Sequence, residues 1–267
     1  MKRLLDRLLF DHWKAIDADY DHGDRGKKLD WMPLVILVTV AVSLTIQSYW
    51  GERTEFVRMY PRHEQHMFSG DYYDLWQFAW WTGFRFGGYV ILPILVIVAM
   101  PGQRLRDYFI GLGELKRHAW IYGVLLVCVA PVIYWASTRA SFYQTYPFYK
   151  WANRSPMDFW TWEAMYVLQF VSLEFFFRGF MLKGLARSMG SGAIFVMVVP
   201  YCMIHYGKPM PETLGAIGAG IVLGTLALRS KSIWGGVAVH CAVAIAMDLL
   251  ALGHCPSAAS GLRCPSH

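Results

Sequence analysis

The sequence contains little charge for its length. Only 16% of its 267 residues are Asp, Glu, Lys or Arg, whereas an ordinary soluble domain has about 25%. Hydrophobic residues make up 55%, and no polar stretch is long enough to form the core of a separate soluble domain. The 12 Trp and 15 Tyr suit the aromatic belts found at the two surfaces of a bilayer. These features together predict a single membrane domain.

Several signatures that would indicate other functions are missing. No basic patch is interleaved with exposed aromatics, so the net charge of +6 indicates loop residues that contact anionic lipid and not a nucleic-acid partner. The first 30 residues are charged throughout and have no continuous apolar run, so they do not form a cleavable signal. Cys128, Cys202 and Cys241 lie in apolar runs and are predicted to be small packing residues. Cys255 and Cys264 lie in the polar C-terminal tail, where they could pair if that tail is extracytoplasmic.

Seven apolar segments approach the length of about 20 residues that a transmembrane helix needs. We therefore predict an all-α fold, a polytopic transmembrane helix bundle of about seven spans. A cytoplasmic amphipathic segment at 1–30 precedes a membrane domain at 31–251, and an extracytoplasmic tail follows at 252–267. The predicted spans are 31–50, 76–100, 119–137, 159–182, 191–206, 213–228 and 233–251.

The distribution of Lys and Arg predicts the orientation. With the N-terminus inside, fifteen of these residues fall in inside segments and eight in outside segments, as the positive-inside rule requires. We therefore expect a multi-pass protein of a bacterial inner membrane with a cytoplasmic N-terminus. Within the first segment, Leu4, Leu5, Leu8, Leu9 and Trp13 fall at helical spacing. This pattern predicts a short helix that lies either on the membrane surface or on the protein's own cytoplasmic face.

Ionisable residues inside the predicted spans are the candidate functional residues. Glu174 and Arg178 lie four residues apart, on one face of the fourth span. His205 ends the fifth span and His240 lies in the seventh. An ionisable side chain within a span is costly unless it is paired or hydrated, so it indicates a functional site by default. The plainer interpretation is a buried ion pair and two core histidines that only fix helix packing.

Such a set of residues suits the activation of water. A carboxylate can take a proton from water as general base, and imidazoles can orient the water and stabilise the developing oxyanion. Glu174, His205 and His240 could instead bind a divalent metal such as zinc, although the HExxH motif is absent. Asp248 follows His240 by eight residues and is predicted to support the same polar network, with Glu163 a weaker candidate. Arg85 is expected either to pair with one of these acids or to extend towards the interface.

At these residues the sequence resembles the CAAX protease and bacteriocin-processing (CPBP, or Abi) family of glutamic-type intramembrane proteases. The first family motif, Glu-Glu-x-x-x-Arg followed by Gly-Phe, is matched by residues 173–180, which read Leu-Glu-Phe-Phe-Phe-Arg-Gly-Phe. The second, an aromatic residue followed by His four positions later, is matched by Tyr201 and His205. The third, His followed by Asn four positions later, is matched at His240 only. The resemblance covers about 105–251 and is strongest from 160 onwards.

The sequence departs from the family pattern at two positions. Leu173 stands where the family has its water-activating Glu, and Ala244 stands where it has the Asn of the oxyanion site. The resemblance implies that Glu174, His205 and His240 are catalytic, with Arg178 and Tyr201 in support. A shift of one helical residue turns a side chain by about 100°, so Glu174 is not equivalent to a Glu at position 173.

Three functions are compatible with these residues. The first is an intramembrane endopeptidase that cleaves a membrane-delivered peptide or protein with Glu-activated water. The second is a catalytically inactive relative that binds a membrane peptide or a lipid-linked partner. The third is a small transporter that uses Glu and His as a proton relay, which is less favoured because the sequence has no evident inverted repeat. We take the first as our prediction, because the Glu–Arg pair and both histidines occur together.

Overall fold

The computed structural model describes residues 10–19 and 30–253. Within these residues the chain is helical and contains no β-strand. A 3₁₀ turn, Leu105–Asp107, precedes α5. The helices are α1 (Asp11–Asp19), α2 (Trp31–Trp50), α3 (Arg53–Met59), α4 (Tyr73–Ala99), α5 (Leu115–Ser137), α6 (Ala140–Thr145), α7 (Pro156–Met189), α8 (Gly192–Met203), α9 (Met210–Ser230) and α10 (Trp234–Gly253).

The predicted all-α membrane fold is confirmed. Six helices (α2, α4, α5, α7, α9 and α10) are long and apolar enough to cross a bilayer. The remaining predicted span corresponds to α8, which is helical and apolar but has only 12 residues, fewer than the roughly 20 that a span needs. Helix α8 ends early because Gly207, with a φ of +90°, and Pro209 form the turn that leads into α9.

Two of the long helices contain a π-helical segment. In α4 this segment is Gly87–Ile91, followed closely by Pro93, which cannot donate a backbone hydrogen bond. In α7 it is Phe175–Leu182, which contains Arg178. π-Helical turns are rare and occur often at functional sites, so the one in α7 marks the same stretch as the first sequence motif.

The first of two compact units contains the described residues of Met1–Ser43, Tyr89–Trp120 and Leu173–Gly236. In it, α8 packs against α9, and both contact the π-helical segment of α7. Glycines on α9 permit this close approach, since a Cβ atom on Gly220 would lie 2.9 Å from the side chain of Val198. Small residues on α9 therefore fix the helix packing around the motif residues of α7 and α8.

Within the first unit, helix α1 packs against α8 and α9. The indole N–H of Trp13 donates a hydrogen bond of 3.0 Å to the hydroxyl of Thr225, and its ring lies edge-on to Phe195. The Asp17 carboxylate accepts a hydrogen bond of 2.7 Å from the backbone N–H of Ser191, just before α8. For residues 11–19 the structure therefore gives the second of the two sequence-based alternatives, a helix packed on the protein itself. The predicted face residues at positions 4, 5, 8 and 9 lie outside the described residues.

The second unit contains Leu44–Gly88, Ile121–Ser172 and the described part of Val237–His267. Its core is aromatic: the rings of Phe78 and Trp162 meet at 4.7 Å, and Trp162 stacks on Tyr166 at 4.8 Å. At the start of α7, the buried Asp158 carboxylate accepts hydrogen bonds from Tyr149 and Arg154, of 2.5 and 2.6 Å. These bonds satisfy a buried charge at the helix N-terminus, where a carboxylate is also favoured by the helix dipole.

Arg85, a charged residue within a predicted span, has hydrogen-bond acceptors close by. Its guanidinium donates hydrogen bonds of 2.9 Å to the side chains of Gln47 and Glu52. Arg85 thus has acceptors near the end of α2, as the interface alternative supposed, and among the described residues no ion pair joins it to Glu163 or Asp248. The predicted domain boundaries remain predictions, and Cys255 and Cys264, which could pair in an extracytoplasmic tail, fall outside the described residues.

Candidate active site

The candidate site in the first unit is centred on an ion pair within α7. Arg178 Nη1 lies 3.2 Å from Glu174 Oε1, and both side chains are fully buried. The two residues are one turn apart on the helix, so the backbone itself brings the charges together. Because removing one partner would leave an uncompensated buried charge, each side chain is needed to keep the other stable in this setting.

Two neighbours hold this pair in place. Gly236, at the start of α10, lies against the Glu174 carboxyl so closely that even a Cβ atom would overlap it. On the other side, the Arg178 guanidinium lies 4.1 Å from the ring centroid of Tyr201 on α8, a favourable cation–π geometry. Three helices therefore contribute to the immediate surroundings of Glu174 and Arg178.

His205 follows the end of α8 and is half-buried. Its Nδ1 lies 2.8 Å from the backbone carbonyl oxygen of Tyr201. A carbonyl can only accept, so Nδ1 carries the hydrogen in this bond, and Nε2 of the neutral ring then carries the lone pair. Its ring also lies edge-on to the Tyr201 ring at 5.0 Å. This tautomer suits a residue that accepts a hydrogen bond or a proton from water.

His240 and Asp248 belong to the second unit, where aromatic side chains of α7 contact them. The His240 ring stacks on Phe170 at 5.4 Å with an angle of 7° between the planes. Asp248 Oδ2 accepts a hydrogen bond of 2.7 Å from the indole N–H of Trp162. Tyr166 lies between Trp162 and Phe170, with ring centroids 4.8 and 4.7 Å away. We call Trp162, Tyr166 and Phe170 the aromatic ladder. It aligns α7 with α10 over two turns, because Trp162 and Phe170 are eight residues apart on α7 and their partners Asp248 and His240 are eight residues apart on α10.

The structure thus brings four of the sequence-predicted site residues together in the first unit. They are Glu174, Arg178, Tyr201 and His205, linked by the ion pair, the cation–π contact and the hydrogen bond described above. Sequence reasoning did not identify Gly236 or the aromatic ladder as neighbours. The ladder did have a signal, since its members recur every fourth residue along a predicted span.

The alternative that the site binds a metal has no suitable group of ligands. Throughout 10–19 and 30–253, no three or more His, Cys, Asp or Glu side chains are grouped so that they could hold a metal ion. Zinc sites in proteins use three or four such ligands at about 2.0–2.3 Å. Glu174, His205 and His240 therefore do not fit a metal centre, and we assign no step to a metal.

The two departures from the family pattern are apolar and buried. Leu173 precedes Glu174 and is 4% exposed, and Ala244 is 4% exposed in the aromatic core of the second unit. Neither side chain supplies a proton acceptor or a hydrogen-bond donor. Glu174 is consequently the one carboxylate that the first motif provides.

The long apolar helices and the buried charges of α7 define a polytopic membrane protein with a polar site on its motif-bearing helices. A family model described as "Type II CAAX prenyl endopeptidase Rce1-like" matches residues 155–246, about a third of the chain, from the start of α7 into α10. This region is therefore similar to the Rce1-like CAAX protease family, and the resemblance predicted from the motifs is confirmed. No curated protein and no solved structure matches the chain.

Proposed function

We propose that this protein is an intramembrane endopeptidase of the CAAX protease type that cleaves a membrane-delivered peptide with Glu-activated water. The observation that carries the proposal is the grouping of Glu174, Arg178, Tyr201 and His205 within the region that the family model matches. His240 joins the proposal through the third motif.

In the proposed reaction, Glu174 takes a proton from water while the oxygen attacks the scissile carbonyl carbon. His205 orients the water through Nε2, and an N–H of His240 stabilises the oxyanion that forms as the carbonyl π electrons move to oxygen. The proton on Glu174 then passes to the amide nitrogen as the C–N bond breaks. Arg178 favours the ionised form of Glu174 and so keeps it able to accept a proton.

The buried position of Glu174 sets a condition on this reaction. With the side chain fully buried, neither water nor a peptide bond reaches its carboxylate in the structure. Binding of the peptide must therefore open the packing around Glu174 before the water can be activated. A site that opens only with substrate would also keep bulk water away from the reactive carboxylate.

The proposal can be tested with the full-length protein in liposomes and a prenylated CAAX peptide as the probe. Mass spectrometry of the products would give the cleavage rate. We expect E174Q, H205A and H240A each to lower this rate by about 10²-fold or more, as for loss of a general base or its partners. A matched control is E55Q, which removes a carboxylate from the surface pair with Arg58 and should leave the rate unchanged. Cleavage at the wild-type rate in E174Q and H205A would overturn the proposal.

A second candidate function is favoured by Leu173 and Ala244. In this alternative the protein binds a membrane peptide or lipid-linked partner without cleaving it, and the Glu174–Arg178 pair only stabilises the fold. The double variant L173E/A244N restores the family's acid and amide, and L173Q/A244N is its matched control without the acid. If the wild-type protein binds the probe peptide but does not cleave it, and only L173E/A244N cleaves it, the binding function is correct.

The orientation and location form part of the same proposal. Residue 69 lies in the segment between α3 and α4, outside the cytoplasm in the predicted topology. We expect S69C, in a chain from which the other cysteines have been removed, to react with a membrane-impermeant maleimide in intact bacterial cells. A cysteine that reacts only after the membrane is permeabilised would reverse the proposed orientation.

A further inference from the structure

A second pair of buried acids lies in the second unit. Glu163 on α7 is 4% exposed and Asp248 on α10 is fully buried. Trp162, the residue before Glu163, donates a hydrogen bond of 2.7 Å to Asp248, so the two acids lie near each other in the second unit. The reaction proposed above uses neither of them, so their presence in the apolar layer needs a separate explanation.

The two acids have different surroundings. Asp248 Oδ2 accepts the hydrogen bond from Trp162, and the positive charge of Lys150 also acts on Asp248. Burial lowers the pKa of the Lys150 ammonium, and the charge of Asp248 acts against that change. Burial disfavours the ionised form of both acids, and the Trp162 hydrogen bond and the Lys150 charge offset this cost at Asp248. By contrast, neither carboxyl oxygen of Glu163 has a hydrogen-bond partner, and no ion pair involves Glu163 among the residues that the structure describes.

A single proton would join two of the three carboxyl oxygens of Glu163 and Asp248 that have no hydrogen-bond partner in the described part of the chain. Asp248 Oδ1 has no hydrogen-bond partner within the described part of the chain. Two neighbouring carboxylates in an apolar setting cannot both remain ionised, because repulsion adds to the cost of desolvation. Adding one proton converts an oxygen of Glu163 from an acceptor into a donor, and Asp248 Oδ1 is the acceptor available to it.

We propose that Glu163 and Asp248 form a proton-binding site in which protonated Glu163 donates a hydrogen bond to ionised Asp248. The site's ligand is a single proton. Glu163 is seven residues from the start of α7, and Asp248 is five residues from the end of α10. At 1.5 Å per residue the pair lies about 10 and 8 Å from these helix ends, close enough for a proton to exchange with water.

The proposal can be tested by infrared difference spectroscopy of the full-length protein in lipid nanodiscs at neutral pH. We expect wild type minus E163Q to show the carbonyl stretch of a protonated carboxyl, shifted by deuterium exchange. The matched control E64Q removes an acid that is 62% exposed, and its difference spectrum should show an ionised carboxylate. If E163Q instead removes an ionised carboxylate, Glu163 holds no proton and the proposal fails.

A second measurement does not depend on the folding of E163Q. In the wild-type protein the protonated-carboxyl band should persist at neutral pH and disappear on titration to alkaline pH. In D248N the neighbouring negative charge is gone, so Glu163 should ionise at a lower pH than in wild type. An unchanged titration in D248N, or no protonated band in wild type, would overturn the proposal. Neither readout requires protease activity, so this site and the proposed reaction can fail independently.

Discussion

Two buried glutamates on α7, eleven residues apart in the sequence, have opposite surroundings. Glu174 in the first unit has a cation one turn away, 3.2 Å from its carboxylate. Glu163 in the second unit has no hydrogen-bond partner among the described residues, and Trp162 beside it donates a hydrogen bond to another acid, Asp248. Equal burial therefore does not imply equal chemistry. An ion-paired carboxylate can accept a proton from water, whereas a carboxyl that already holds a proton cannot act as a base.

Removal of the Arg178 cation should have the largest effect on the contrast between Glu174 and Glu163. R178Q would leave Glu174 buried without an ion-pair partner, which, within the described part of the chain, is already the situation of Glu163. Unlike Glu163, which has Asp248 as its proposed acceptor, Glu174 would gain no hydrogen-bond acceptor for a proton. We expect the free energy of unfolding to fall by about 3–5 kcal/mol, as for other broken buried pairs. Denaturant-induced unfolding in detergent micelles would measure it. R58Q, which breaks the exposed pair with Glu55, should change stability by less than about 1 kcal/mol. If R178Q lowered the free energy of unfolding by no more than R58Q does, the buried Glu174–Arg178 pair would not be needed for stability.

A smaller effect is expected from crowding the Glu174 carboxyl. G236A places a methyl group where it would overlap this carboxyl, so the ion pair or the helix must shift. We expect a loss of about 1–3 kcal/mol, typical of overpacking, together with a lower cleavage rate. The control is G215A on α9, where a Cβ atom would contact nothing within 4 Å and should not destabilise the helix. Equal stability of the two variants would show that the fit at Gly236 is loose.

The smallest effect is expected at the other glutamate. E163Q replaces a carboxyl that we expect to be neutral by an amide of similar size, which can donate to Asp248 in the same way. The free energy of unfolding should therefore change by no more than about 0.5 kcal/mol at neutral pH, measured as for R178Q. A large loss of stability in E163Q, comparable with that in R178Q, would indicate that Glu163 is ionised and paired and would remove the contrast between the two glutamates.

Much of the fold could be predicted from hydropathy, and its errors have physical causes. The apolar runs predicted α2 and α10 within two residues at each end. Helix α7 continues to Met189, past the predicted end at 182, because its last turns carry Lys183 and Arg187 and are no longer apolar enough to be recognised. Helix α8 is shorter than predicted, since Tyr206 and its neighbours continue the apolar run into a turn.

The candidate site could be predicted only as far as one helix determines it. The spacing of Glu174 and Arg178 predicted that they share a face, and they form an ion pair. The partners that other helices supply, such as Gly236 beside Glu174 or Phe170 beside His240, have no local sequence signal that specifies the pairing. For Arg85 the sequence left two alternatives, and only the three-dimensional contacts with Gln47 and Glu52 decide between them.

The π-helical segment of α7 has a consequence for how relatives of this protein are compared. A π-helical turn holds one more residue than the α-helical turn that it replaces. A relative with one residue fewer between Phe175 and Leu182 can therefore form a regular α-helix there and keep both Glu174 and Lys183 facing the same way. Where the missing residue falls before Arg178, the Glu–Arg spacing counted along the sequence would differ in such a relative, although the spatial pair is the same. Motif spacing across this segment therefore depends on whether the helix forms π-helical or α-helical turns there, as well as on the residues themselves.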